Sequence, residues 1–310
     1  MSIKAKKGWT RKQKRLLFCS LILAVPILQF ILFYVYVNFN SILLAFQTYE
    51  RKSGATGYNI SFAGFENFVE AFREISDKEY LFTNSIIHYF VGLLFSMPLS
   101  WLLSYYIYKK GAGAGFFKVI LYLPHILSSV VFVSIYRFIV TDMWMELFDT
   151  AGLLSPTRPT ANFWAILFYN FWIGLGGHFL LYLGSMNGIN ESIIESAELD
   201  GVNRWQEFFH IILPMIYPTI VTFVVIGLSG IFTNQRELYT FFEQNAVGDE
   251  NMSVIGYFLY VRTLGGSLFG SSREMSYGEL SALGIMFTAI VLPLTLGVKR
   301  LMEKKGPSVD

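Results

Sequence analysis

Six long apolar runs restrict this chain more than any other feature. They cover residues 16–37, 84–108, 116–140, 162–186, 211–233 and 280–298. A helix needs about 20 apolar residues to cross the hydrocarbon layer, because each residue rises only about 1.5 Å. All six runs meet or nearly meet that length. Charge is correspondingly scarce. Only 15% of residues are Asp, Glu, Lys or Arg, against about a quarter in a soluble domain. Tyr36, Tyr108 and Tyr217 stand near run ends, where aromatic rings suit the membrane–water interface. Pro26, Pro98, Pro124, Pro214, Pro218 and Pro293 lie in or beside the runs. Bilayer helices tolerate such breaks when neighbours satisfy the freed carbonyls. The reading is an all-α membrane protein with six transmembrane helices. The first run follows a basic arm and has no small-x-small cleavage site, so it reads as a retained span.

The few charges are sorted by loop. The arm carries Lys4, Lys6, Lys7, Arg11, Lys12, Lys14 and Arg15. Placing it inside also puts Lys109, Lys110, Lys118, Arg204, Lys299, Arg300, Lys304 and Lys305 inside, while the alternate segments hold most of the acids. That satisfies the positive-inside rule and sets both termini in the cytoplasm. The expected organisation is a basic arm (1–15), a six-helix domain (16–300) and a cytoplasmic tail (301–310). Between the runs, 62–72 has aromatics at helical spacing and reads as a short interfacial helix. Residues 141–161 read as a short loop, and 253–261 as a re-entrant or surface helix. Gly111-Ala-Gly113-Ala-Gly115 has no strand before it and reads as a flexible hairpin.

Several function classes drop out. Cys19 is the one cysteine, so neither an intrachain disulfide nor a cysteine metal site is expected. His88, His125, His178 and His210 are scattered, and no metal site is expected from them. No basic–aromatic stripe points to nucleic acid. There is no Gly-x-x-x-x-Gly-Lys-Ser/Thr, no His-Glu-x-x-His and no Gly-x-Ser-x-Gly. No catalytic residue, no ATP site and no cofactor of its own is expected of this chain.

One loop breaks the charge pattern. Residues 190–214 join the fourth and fifth runs on the inner side, yet carry Glu191, Glu195, Glu198, Asp200 and Glu207 against Arg204. Ser192-Ile-Ile-Glu195 reads as a capping box that opens a helix running to about Asp200. Gly201 supplies a left-handed turn. Asn203-Arg-Trp-Gln206 reads as a second box opening the next helix. On the first helix Ala197 is small and leaves room for a partner, and Glu195 and Glu198 stand three apart. Such a helix can seat in a groove of another protein. Composition alone equally allows an ordinary loop with two capped turns.

Glu195-Ser196-Ala197, then Gly201, then Ile211-x-Leu213-Pro214 resembles the EAA motif of binding-protein-dependent ABC importer permeases. Ser196 replaces the first alanine of that motif, and Asp200 before the glycine is common in its sugar importers. Pro26-Ile-Leu-Gln-Phe30, Phe62-Ala-Gly-Phe65-Glu-Asn67-Phe68 and Leu123-Pro124-His125-Ile126 are similar to further signatures of the maltose and glycerol-phosphate permease group. The Gly-Gly-Pro of that group's last external loop is missing near Val247. The resemblance implies a type I importer permease fold. It makes the loop a coupling helix, with Glu195, Ser196, Ala197, Glu198, Asp200 and Gly201 as ATPase-coupling residues. It also implies partners: a second homologous permease, two cytoplasmic ATPase subunits that use ATP and Mg, an extracytoplasmic solute-binding protein, a carbohydrate substrate and membrane lipid. The implied location is a bacterial cell membrane.

Polar groups inside spans are costly in lipid and tend to face the bundle interior. Tyr169, Asn170, Trp172 and His178 in the fourth run are therefore candidates for the substrate pathway. So are Arg137 in the third run and Asn234, Gln235, Arg236 and Tyr239 past the fifth. Hydrogen bonding between helices accounts for the same residues just as simply. The expected function is the permease subunit of an importer for a carbohydrate, an oligosaccharide. The alternatives are import of a peptide or phosphate ester, and a non-transporting receptor whose loop docks a partner.

Overall fold

The computed structural model describes residues 9–51, 58–155, 159–246, 249–265 and 275–307. Lys4, Lys6, Lys7, Val247 and the last residues of the tail lie outside that set. The described residues group into two units, one drawn from Met1–Ala71 and Ser267–Ile285, the other from Phe72–Gly266 and Met286–Asp310.

The first unit begins with α1 (Arg11–Leu44), an unbroken apolar helix of 34 residues. Thr10 caps it: its Oγ1 accepts the Gln13 N–H at 3.3 Å, while Gln13 Oε1 accepts the Thr10 N–H at 2.9 Å. This reciprocal box satisfies two end groups that the helix leaves open. Strand β1 (Gln47–Arg51) pairs antiparallel with β2 (Tyr58–Phe62), Gln47 opposite Phe62 and Arg51 opposite Tyr58. Among the described residues these two strands form the one sheet. The expected amphipathic helix follows as α2 (Glu66–Ser76). The Phe46, Phe65 and Phe68 rings cluster at its start, with centroids 5.1–5.7 Å apart. Asn67 is buried there and donates through Nδ2 to the carbonyls of Ala45 and Gln47, at 2.9 and 3.0 Å.

The second unit holds α3 (Glu79–Tyr108), α4 (Ala114–Ile126), α5 (Ser129–Phe148), α6 (Pro159–Asn187), α7 (Glu191–Leu199), α8 (Arg204–Met215), α9 (Tyr217–Ser229), α10 (Leu238–Phe242), α11 (Ile255–Gly265) and the later part of α12 (Tyr277–Lys305). Among the described residues, α1, α3, α6 and α12 are each long and apolar enough to span a membrane unbroken. The third and fifth spans are bent pairs: α4 and α5 meet at 108°, α8 and α9 at 66°. Prolines mark both breaks. Pro124 lies one turn before the first, and Pro218 opens α9. A proline has no N–H to return to the preceding turn, so the helix loses a bond where it bends. Part of the predicted 141–161 loop is helical, since α5 continues to Phe148.

α3 and α6 are joined by a serine ladder. Ser96 donates through Oγ to the Phe171 carbonyl at 3.3 Å, and the Ser100 and Ser104 hydroxyls are shared between the carbonyls of Leu175 and Phe179 on α6, at 3.2 and 2.9 Å, and those of Ser96 and Ser100 on their own helix, at 2.8 and 2.7 Å. Spacing of four puts the three on one face, and small side chains let helix axes approach closely in lipid. α4 also packs tightly on α6, where a Cβ on Gly176 would collide with the Leu121 carbonyl. Two apolar clusters cap the unit. Met186, Ile194, Phe208, Ile212 and Ile216 pack under the acidic loop. Phe132, Tyr136, Tyr169, Phe241 and Tyr257 form the other. The expected helix near 253–261 is α11. It is pinned to α3 by Asn84, which donates to the carbonyls of Glu250 and Ser253 at 3.0 Å each.

Candidate functional site

The acidic loop folds as helix, glycine turn, helix. Its first cap differs from the predicted one: Asn190, not Ser192, is the N-cap of α7, and its Oδ1 accepts the Ser192 N–H at 3.1 Å. Asparagine caps at least as well as serine, so the earlier residue takes the role. Ser192 then sits in the first turn, where its carbonyl accepts the Ser196 hydroxyl at 2.8 Å. The far end is as expected. Gly201 has φ +78°, and the Val202 and Gly201 N–H groups donate to the Ala197 and Glu198 carbonyls at 3.1 Å each. That pair of bonds is a Schellman motif, which needs the left-handed residue. The second box is also present. Asn203 Oδ1 accepts the Trp205 and Gln206 N–H groups at 3.0 and 2.9 Å, and Gln206 Oε1 accepts the Asn203 N–H at 3.0 Å.

Burial divides α7 into two faces. Ile194 and Ala197 are each 7% exposed and turn inward, with Ile194 in the cluster that holds Phe208 and Ile212. The small side chain of Ala197 therefore serves close packing within this chain, which corrects the expectation that it leaves room for a partner. The outward face carries Ser192, Glu195, Ser196 and Leu199, residues that recur together at 3.6 per turn. Leu199 is 89% exposed. Asp200 and Gly201 end that face, also exposed.

Glu198 is also exposed, its side chain at 59%, but it reaches back toward the end of α3. Lys109, the first residue after α3, donates to Glu198 Oε1 at 3.0 Å and lies 3.0 Å from Glu207 Oε1. The Glu207 side chain is 3% exposed. Its contact with Lys109 is Coulombic rather than a well-directed hydrogen bond, since Glu207 Oε1 has no hydrogen-bond partner. Burial pulls the Lys109 pKa down, but the hydrogen bond to Glu198 and the attraction of the Glu198 and Glu207 carboxylates outweigh it, and the net direction is up. Beside this pair, the Tyr105 hydroxyl donates to the Arg204 carbonyl at 3.1 Å. The Tyr105 ring lies 5.0 Å from that of Phe208.

The pathway candidates gather at the far end of the same unit. Tyr169 is 2% exposed, its ring 4.9–6.0 Å from those of Phe132, Tyr136 and Phe241. It is a packing residue in this conformation. Asn170 Nδ2 donates to the carbonyls of Ile166 and Arg236, at 2.9 and 3.2 Å, and so joins α6 to the segment before α10. Asn234 Oδ1 accepts the Arg236 N–H at 2.8 Å. Arg137 donates to the Phe241 carbonyl at 3.2 Å. His178 lies in the span among Phe223 and Tyr182. Trp172, Gln235 and Tyr239 remain partly exposed, and Gln235 Oε1 has no hydrogen-bond partner. A cavity of about 500 Å³ opens at this end, lined by Arg137, Asn162, Glu243, Asn245 and Asp249 among others; of the pathway candidates Arg137 lines it, and Trp172, Gln235 and Tyr239 do not.

The family described as "Binding-protein-dependent transport system inner membrane component" matches residues 86–309. The chain belongs to this family. The match spans the acidic loop and both bent pairs. As a permease the chain is 26% identical, over 279 residues, to the arabinooligosaccharides transport system permease protein AraP of Bacillus subtilis, covering 87% of this chain and 83% of that one. It is 24% identical to the polygalacturonan/rhamnogalacturonan transport system permease protein YteP of Bacillus subtilis, covering 95% of this chain and 92% of that one. A solved bacterial alginate ABC transporter, in complex with an alginate pentasaccharide-bound periplasmic protein, contains a chain of the same fold. Its TM-score is 0.70 at 25% identity, covering 95% of this chain and 98% of that one. The permease is thus a multi-pass membrane component of an ABC importer, and the receptor alternative falls away. Two features of its loop escape sequence reasoning. Leu199 offers a signal, a lone large apolar residue among acids. Lys109 offers none, because its partners lie 89 and 98 positions along the chain.

Proposed function

We propose that this permease forms half of the translocation pathway for an oligosaccharide and is driven by a cytoplasmic ATPase that grips α7. The observation that carries the reading is the build of the loop. α7 is capped at its start, closed by Gly201 at its end, and presents Leu199 and Glu195 to solvent. An exposed leucine on a rigid, doubly fixed helix suits a groove in a partner. The other partners in this reading are a second homologous permease, a second ATPase subunit and an extracytoplasmic solute-binding protein. ATP and Mg belong to the ATPases. The sugar class follows the relatives, which are described by transport of arabinooligosaccharides, of polygalacturonan/rhamnogalacturonan and of alginate. Trp172, Gln235 and Tyr239 are the pathway residues with side chains left to meet substrate, while Tyr169, Asn170 and Asn234 shape the segment that carries them.

The test is reconstitution of the full importer in proteoliposomes. Oligosaccharide-loaded binding protein should raise ATP hydrolysis and drive uptake. Gly201→Asp and Leu199→Asp should abolish both and release the ATPase. Stimulation by a peptide or a phosphate ester, with none by oligosaccharides, would reassign the substrate. An ATPase that stays bound and active with both loop variants would sink the role of α7.

A further inference from the structure

We infer that Lys109 is a positioning residue for coupling, a clamp that ties the two limbs of the acidic loop to the end of α3. The inference rests on the reading of α7 as the docking helix. A lysine just past a helix C-terminus favours the helix dipole by itself, but here its ammonium does more. It holds Glu198 of α7 and Glu207 of α8, one on each side of the Gly201 turn, at 3.0 Å each. Glu207 is almost fully buried, and a buried carboxylate persists only with a compensating charge. Lys109 supplies that charge among the described residues. Tyr105, one turn back on α3, adds a hydroxyl bond to the Arg204 carbonyl and a ring against Phe208.

The clamp has a mechanical consequence. α7 joins α6 through Gly188-Ile189-Asn190, a short link that opens on a glycine. A pull on Leu199 is resisted by Ile194, which packs with Phe208 and Ile212. With Glu198 held by Lys109, the same pull reaches α3, and the serine ladder carries α3 and α6 together. Within α7 the work is divided: Leu199 is left to a partner, while Glu198, its side chain 59% exposed, reaches back to Lys109.

The experiment uses the complete importer with loaded binding protein, and reads solute taken up per ATP hydrolysed. Co-purification of the ATPase with the permease reports docking. In Lys109→Met the ATPase should still co-purify while uptake per ATP falls by roughly tenfold, within the usual range of coupling between sites. Lys109→Arg should recover most of the ratio. Glu198→Gln removes only the α7 half of the clamp and should lower the ratio in the same direction. It also serves if Lys109→Met fails to assemble. Normal uptake per ATP in Glu198→Gln, or an equal loss in Lys109→Arg and Lys109→Met, would overturn the clamp. If Gly201→Asp releases the ATPase while the Lys109 and Glu198 variants couple normally, the clamp fails and the docking reading stands. If Gly201→Asp also leaves docking intact, the docking reading itself has failed.

Discussion

A Cβ at Gly201 would meet no atom within 4 Å, yet φ +78° is a conformation L side chains rarely adopt. Gly201→Ala therefore tests backbone strain without a clash. The left-handed region costs an L residue about 1–2 kcal/mol. The expected result is faster amide exchange at Val202 and the end of α7, with uptake reduced but not lost. Lys109→Met should act through charge. Breaking a fully buried ion pair costs about 3–5 kcal/mol, but the Lys109 side chain keeps 19% exposure, so about 2 kcal/mol is expected. It would be read as a lower Tm in detergent, partly restored by adding Glu207→Gln. The pH sense follows from the raised Lys109 pKa. The clamp's contribution is full below the ordinary lysine pKa and fades as pH rises through the higher folded value. The Tm gap between wild type and Lys109→Met should therefore stay flat through neutral pH and close only in strong alkali. Legibility at this scale follows distance along the chain. The Gly201 turn and the Asn203 box form within a few residues, so the sequence announces both. The inward turn of α7 depends on the packing of Ile194 with Phe208 and Ile212, and burial of that kind is a tertiary fact.

Helices were legible where bilayer thickness dictates length, and less so where packing dictates shape. The six runs became four unbroken helices and two bent pairs, because a proline marks a possible break but not its angle. The β1–β2 hairpin was missed because five-residue strands between two helices carry little periodic signal. The serine ladder lay in plain view as Ser96, Ser100 and Ser104, but serines in an apolar run read as tolerated polar groups until the facing carbonyls are known. It separates two kinds of helix adhesion. Ser100→Ala removes one hydroxyl bond, worth about 0.6 kcal/mol in membrane bundles. Ser100→Leu forces volume into a fully buried seam and should cost about 1–3 kcal/mol. Thermal denaturation in detergent should therefore rank leucine well below alanine. An equal loss in both would show that the hydroxyl bonds, not the close approach, hold α3 to α6.

Orientation is the property of the whole molecule on which the functional reading depends, and charge on the larger unit predicts it. The loop end gathers Lys109, Lys110 and Arg204, and the Tyr217 hydroxyl donates to the Met302 carbonyl at 3.0 Å, bringing the basic end of α12 to the same side. The opposite end holds Glu243, Asp249 and Glu250. The positive-inside rule predicts a cytoplasmic loop end. Cys19 is the single native cysteine, so Cys19→Ser gives a clean background for thiol labelling. In that background Leu199→Cys and Asn245→Cys mark the two ends, and both positions are exposed. A membrane-impermeant maleimide should label Asn245→Cys from outside the cell, and label Leu199→Cys only in inside-out vesicles. The reverse pattern would put α7 out of reach of any ATP-using partner, since cytoplasmic ATP cannot act on an external loop. It would remove the coupling role of α7 even if every contact described within the loop were correct.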